Sequence, residues 1–148
     1  MIRPMTIAEL PKLIPGVQSF FEEAKLPGEF DARNCVATWT GLLTSGIGIL
    51  GWESDAQGTA LGAVGGVIFP DMFTGELRAM EAFWYVLPQH RGLGLKLFRW
   101  FERQAVARNA RRIIMVHMES LNPDKLAVFY QRSGYVPLER SYIKEVMQ

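Results

Sequence analysis

The sequence predicts an α/β (α+β) domain: a mixed, mostly antiparallel central sheet of about six to seven strands with about four flanking helices. Three observations lead there. Apolar residues recur at helical spacing over two N-terminal stretches, and three strand-like runs then follow one another through short turns. A helix next separates the third of these runs from another strand, and strands on both sides of a helical crossover make a mixed sheet.

Ile2–Thr6 is a short extended start. Thr6 caps a helical run, with Glu9 three residues on as in a capping box, and Leu10, Leu13, Ile14, Val17, Phe20 and Phe21 carry the apolar face to about Glu23. Pro27-Gly28 breaks the pattern. A second helix covers about Ala32–Leu43 and Gly46 ends it. Ile47–Trp52 and Ala60–Phe69 read as strands joined by Glu53–Thr59, and Pro70–Gly75 turns the chain into a third strand, Glu76–Val86, which Pro88 stops. Leu93, Leu97, Phe101 and Ala105 line one face of a helix. Arg111–Met118 reads as a strand whose Ile113-Ile114-Met115-Val116 run is apolar on both faces, as in a central strand. Asp124–Ser133 is a short helix with Leu126, Phe129 and Tyr130 inward, closed by Gly134. Tyr135-Val136 and Tyr142–Val146 are the last strands.

Composition narrows the function classes. The length of 148 residues suits one domain, 1–148, with a core of its own. The single cysteine, Cys35, rules out an intramolecular disulfide framework and fits a reducing, cytoplasmic compartment; no apolar signal segment follows Met1. Asn34–Trp52 carries no charge, but its glycines, threonines and Asn34 make it too polar and broken to span a membrane. Net charge is +1, which argues against a general nucleic-acid binder. The charge is uneven: residues 1–90 hold five Lys/Arg against ten Asp/Glu, and residues 91–148 hold eleven against five. A basic C-terminal half suits a small polyanionic ligand, and equally a solvated arginine-rich helix face.

The informative stretch is Tyr85-Val86-Leu87-Pro88-Gln89-His90-Arg91-Gly92-Leu93-Gly94-Leu95-Lys96-Leu97-Phe98. A strand ends at a proline and a glycine-containing loop opens directly into an amphipathic helix. Gly92 and Gly94 allow close backbone approach, the first-turn N–H groups point out of the helix, and Arg91 and Lys96 add charge, so the stretch forms a pyrophosphate cradle. A Gly-x-Gly at a helix start also serves simple tight packing.

This stretch resembles motif A of the GNAT acetyltransferase superfamily, Gln/Arg-x-x-Gly-x-Gly/Ala, with Gln89-His90-Arg91-Gly92-Leu93-Gly94 in the pattern. Phe129-Tyr130-Gln131-Arg132-Ser133-Gly134-Tyr135 resembles the family's Tyr-x-x-x-Gly-aromatic segment, and Glu81–Val86 is similar to the fourth strand of members common in phages and prophages. A frame starting at Arg91 places Lys96 where the final glycine belongs, and Asn122 stands one residue out of register from the family's asparagine.

The resemblance implies acetyl-CoA as acetyl donor, bound by Tyr85, Val86, Leu87, Gln89, His90, Arg91, Gly92, Leu93, Gly94, Leu95, Lys96 and Asn122. The backbone of Tyr85–Leu87 would hold the pantetheine arm, which in this family enters where a bulge splays the fourth strand from the fifth. Tyr130 is the implied general acid for the departing thiolate; its plainer role is a core tyrosine. Glu81 is the candidate base, because desolvation in an apolar strand raises a carboxylate pKa, unless its side chain faces solvent. His117 and Glu119 stand in reserve. Arg99, Arg103, Arg108, Arg111 and Arg112 could reach a 3′-phosphate or form a solvated face. One Cys and two His offer no metal-ligand spacing, and no Ser or Cys sits in a nucleophile context, which fits direct transfer.

The expected activity is therefore acetyl transfer to a primary amine of a small molecule, peptide or protein. The alternative is a catalytically inactive GNAT-fold protein that binds CoA or a partner. Glu22, Glu23, Glu29 and Asp31 favour a cationic acceptor. Homodimers are common in the family, and nothing in this chain specifies an interface.

Overall fold

The computed structural model describes residues 1–146, divided into two compact units that meet in sequence between Val116 and His117. In the first, β1 (Arg3–Pro4), α1 (Ile14–Glu23), α2 (Ala32–Thr44), β2 (Gly48–Ser54), β3 (Ala60–Pro70), β4 (Leu77–Val86), α3 (Leu93–Ala107) and β5 (Arg112–Ile114) follow in order. The sheet order is β1-β2-β3-β4-β5, antiparallel up to β4 and parallel between β4 and β5. The α3 crossover is what makes that last pair parallel.

The N-terminal helical run and α2 begin where the sequence signals them. The N-terminal run opens as a 3-10 segment, Ile7–Leu13, and becomes α-helical only at Ile14; Pro11 and Pro15 supply no backbone N–H to an α ladder in its first half. The Glu9 carboxylate accepts from the Thr6 N–H and hydroxyl at 2.9 Å and from both terminal nitrogens of Arg3. That guanidinium holds the Glu9 carboxyl down at about 2. Asp31 caps α2 by accepting from the Asn34 N–H at 2.9 Å.

The sheet is covered on both faces. The 3-10 segment, α1 and α2 meet Leu50, Trp52, Ala63, Phe83 and Tyr85 on one side, with Trp39 set edge-on to Phe83. On the other, Leu93, Leu97, Trp100 and Phe101 of α3 pack on Ile49, Val64, Ile68 and Ala79. At Gly51 a Cβ would lie 2.3 Å from the Trp100 ring, so only glycine lets that indole down onto the strand.

The second unit, from His117 on, contains α4 (Pro123–Arg132). Gly134, at φ 90°, ends it in the left-handed conformation. Five strands form among the described residues, not six or seven: Tyr135-Val136 and Tyr142–Val146 make no ladder. Alternation can suit a segment to a sheet, but a strand exists only where a neighbour takes its N–H and C=O groups. β5 spans three residues instead of the expected Arg111–Met118, and lies at the end of the strand order instead of in its centre. No helix among the described residues is long and apolar enough to cross a membrane.

Candidate active site

The predicted residues of the first unit gather on β4 and the turn that follows it. The β3–β4 ladder has one irregularity: Gly65 pairs with Phe83 and Gly66 with Glu81, so Ala82 is an extra residue, a β-bulge. In an unbroken strand Ala79, Phe83 and Tyr85 would share a face. The bulge instead leaves Ala79 in the α3-side core and turns Phe83 and Tyr85 into the other. A Cβ on Gly65 would lie 2.5 Å from the Phe83 ring, and one on Gly66 2.4 Å from the Met80 carbonyl oxygen. Glycine at both positions is what admits the bulge.

On its other edge β4 pairs with β5 only at Arg78↔Arg112, Ala79↔Ile113 and Met80↔Ile114, although β4 itself continues to Val86. Two residues past the last pair, the Val116 N–H donates to Glu81 Oε2 at 3.0 Å. Glu81 is 5% exposed, and burial pushes its carboxyl up to about 7 against the opposing pull of the Val116 bond. Of the two orientations open to Glu81 in the sequence, the buried one is found.

Alternation along β4 sorts the backbone groups. Leu87 donates its N–H to the Leu61 carbonyl at 3.0 Å, so Leu87 and Tyr85 direct their peptide groups at β3. Val86 and Trp84 direct theirs to the opposite edge, where β5 has ended. Of the expected trio Tyr85–Leu87, only Val86 therefore presents its backbone there. Trp84 is the second such residue, and strand alternation from Pro88 backwards was the signal for it.

Past Leu87 the chain makes a 3-10 turn, Pro88–His90, and enters α3 at Leu93 behind Gly92. No side chain caps this helix. Gly92 has φ −61° and a Cβ there would meet open space; one on Gly94 would make only ordinary contact, 3.6 Å from Trp84. Neither backbone strain nor internal packing demands these glycines. Gln89, His90, Gly92, Leu93 and Lys96 line one open cleft of about 300 Å³ with Glu53 and Leu61. A second cleft of about 440 Å³ shares Lys96 and Glu53 and continues past Arg99, Trp100 and Arg103. The other arginines divide: Arg108 donates to the carbonyls of Gly46 and Gly48, and Arg112 pairs with Glu76.

In the second unit Tyr130 is buried, its ring packed against Phe129 and Tyr135 with centroids 5.8 Å away and near His117 at 6.5 Å. His117 Nδ1 lies 2.9 Å from the Pro123 carbonyl. A carbonyl can only accept, so Nδ1 carries the hydrogen and the neutral ring keeps its lone pair on Nε2. Asn122, exposed at φ 43°, precedes α4 without a side-chain capping bond. Among the described residues no cluster of His, Cys, Asp or Glu is placed to hold a metal ion.

A strand ended by a 3-10 turn, an uncapped helix behind it and a buried carboxylate at a bulge accord with the family comparison, in which the acetyltransferase (GNAT) model matches residues 12–135. The chain belongs to the GNAT acetyltransferase family. Acetyl transfer is the chemistry of that family. No curated protein matches the chain in sequence. Similar solved structures include the ribosomal-protein-alanine N-acetyltransferase of Brucella melitensis biovar Abortus 2308, 17% identical over 99% of each chain with a TM-score of 0.75. A "predicted acetyltransferase" of Clostridium acetobutylicum, solved with acetyl-CoA, is 12% identical over 98% of this chain and 95% of that one, with a TM-score of 0.78. Glucosamine-6-phosphate N-acetyltransferase of Arabidopsis thaliana is 14% identical over 98% and 97%, with a TM-score of 0.71. At these identities the likeness speaks for the GNAT fold.

Proposed function

We propose that the chain is a cytoplasmic, single-domain N-acetyltransferase, residues 1–148, that moves acetyl from acetyl-CoA directly to a primary amine of a small molecule, peptide or protein. The observation that carries this reading is the α3 N-terminus: uncapped, opened by two glycines that the fold itself does not need, and flanked by Arg91 and Lys96. The Gly94 N–H already donates to the Arg91 carbonyl at 3.1 Å; a favourable helix dipole, the glycine-opened first turn and side-chain cations on one turn favour a pyrophosphate.

Acetyl-CoA would supply the acetyl group as a thioester, with Gln89–Lys96 on its diphosphate. The outward backbone of Val86 would align the pantetheine arm, and a fixed N–H at the acetyl carbonyl oxygen lowers the barrier by about 3 kcal/mol in comparable acyl transfers. Glu81, near neutrality through burial, takes the proton of the attacking amine. The new N–C bond forms as the C–S bond breaks, and Tyr130 returns a proton to sulfur. Asn122 is the further CoA contact carried over from the family pattern.

A cationic acceptor, such as a polyamine, an aminoglycoside or a lysine-bearing peptide, follows from the acidic end of α1 and the loop behind it. Glu22, Glu23 and Glu29 are exposed there, while Asp31 is engaged as the α2 cap. The test is thiol release from acetyl-CoA across a panel of cationic, neutral and acidic amines. Turnover with the cationic members supports the reading; turnover confined to neutral or acidic amines sinks the acceptor class. CoA binding without turnover on any amine would mark a CoA-binding protein that has lost its chemistry.

A further inference from the structure

The Glu81 carboxylate is engaged in a contact that a general base does not require. β5 leaves β4 after Ile114, yet Val116 is tied back to β4 by the Glu81 side chain. Direction makes this bond unusual. The Arg111 N–H donates to the Leu77 carbonyl, so in a regular strand the N–H groups of Ile113 and Met115 would also face β4, and that of Val116 would face away. Its capture by a β4 side chain means that the chain has turned off its strand path after Ile114 and before the Val116 amide. The length matters as well. Paired strands run about 4.8 Å apart, and an arm inserted as an extra strand needs about twice that. A Glu side chain plus a 3.0 Å hydrogen bond spans more than one ladder spacing and less than two, which suits the narrow end of a widening gap.

We infer that Glu81 is also a positioning residue: its carboxylate holds the departing β5 backbone at Val116 and so sets the opening of the β4–β5 gap for the arm of an acyl-CoA. This rests on the reading above that the gap receives that arm. The two roles use different atoms. Oε2 accepts from Val116 throughout, and Oε1 is left to gain and lose the proton, so the tie survives each turnover.

Two substitutions separate the roles. Glu81→Gln is the isostere of the protonated acid and keeps an oxygen for Val116; Glu81→Met keeps length and bulk but offers no acceptor. By isothermal titration, CoA should bind Glu81→Gln within about twofold of the wild type and Glu81→Met about tenfold more weakly. Hydrogen exchange at the Val116 amide should quicken in Glu81→Met alone. In Glu81→Gln, kcat falls while KM for acetyl-CoA holds. Wild-type affinity in Glu81→Met, or equal weakening in both variants, overturns the positioning role. Absence of CoA binding by the wild type would instead remove the acyltransferase reading on which it stands.

Discussion

Glu81→Gln should change how stability depends on pH as well as how the protein turns over. The Glu81 carboxyl ionises at about 7 in the folded protein, against 4.5 for an ordinary glutamate, because burial disfavours its charged form. Between those values the folded chain keeps a proton that the unfolded chain releases, so stability must fall as pH rises through that window. Below pH 4.5 both states are protonated, and above pH 7 both are ionised, so this contribution is level on either side. A gap of about 2.5 units at 1.36 kcal/mol each amounts to about 3 kcal/mol, a large share of the 5–15 kcal/mol that holds a domain together. Urea unfolding of both proteins at pH 4.5, 5.5, 6.5 and 7.5 isolates this residue, since every other titrating group is common to the pair. The wild type should lose about 3 kcal/mol relative to Glu81→Gln across the series. Parallel curves would mean that Glu81 ionises normally, and its candidacy as the base would fall with them.

Two further substitutions probe other parts of the account. Tyr130→Phe should lower kcat by about a hundredfold with CoA affinity unchanged, as loss of a general acid does; wild-type turnover in stopped-flow or steady-state assays would assign Tyr130 to the core alone. Gly66→Ala should destabilise by about 1–3 kcal/mol, because its Cβ would sit 2.4 Å from the Met80 carbonyl oxygen and 2.7 Å from the Phe101 ring. An unchanged thermal midpoint would show that the bulge tolerates a methyl group.

Much of this arrangement is legible in the chain itself, for identifiable reasons. Pro88, Gly46 and Gly134 punctuate elements by their backbone chemistry, so α2, β4 and α4 end within a residue or two of where these residues place the boundaries. The Gly92–Gly94 segment announces a helix opening because no packing in the chain explains its glycines. The family resemblance implies a fourth-strand bulge, but its position is hidden, since Glu81-Ala82-Phe83 contains no residue that marks one; its trace is on the neighbouring strand, at Gly65-Gly66, and only the pairing joins the two. Burial of Glu81 follows from that bulge and from the turn at Val116, neither of which has a local signature. The distinction between Tyr85 and Val86 was available from alternation once Leu87 is known to bond Leu61. Tyr142–Val146 shows the reverse case, a suitable pattern without a ladder partner among the described residues.

The most direct test of the central claim is isothermal titration of the protein with acetyl-CoA and with free CoA, alongside Gly94→Glu. That position is buried but takes a Cβ at ordinary contact distance from Trp84 and Val86, so the variant should still fold, with a lowered melting transition from the cost of a carboxylate at a buried site, while placing that charge in the first turn of α3. Binding of about micromolar strength by the wild type, abolished in Gly94→Glu, is the expected result. No binding by the wild type, or equal binding by both, would contradict the cradle and with it the acetyl-CoA-dependent function.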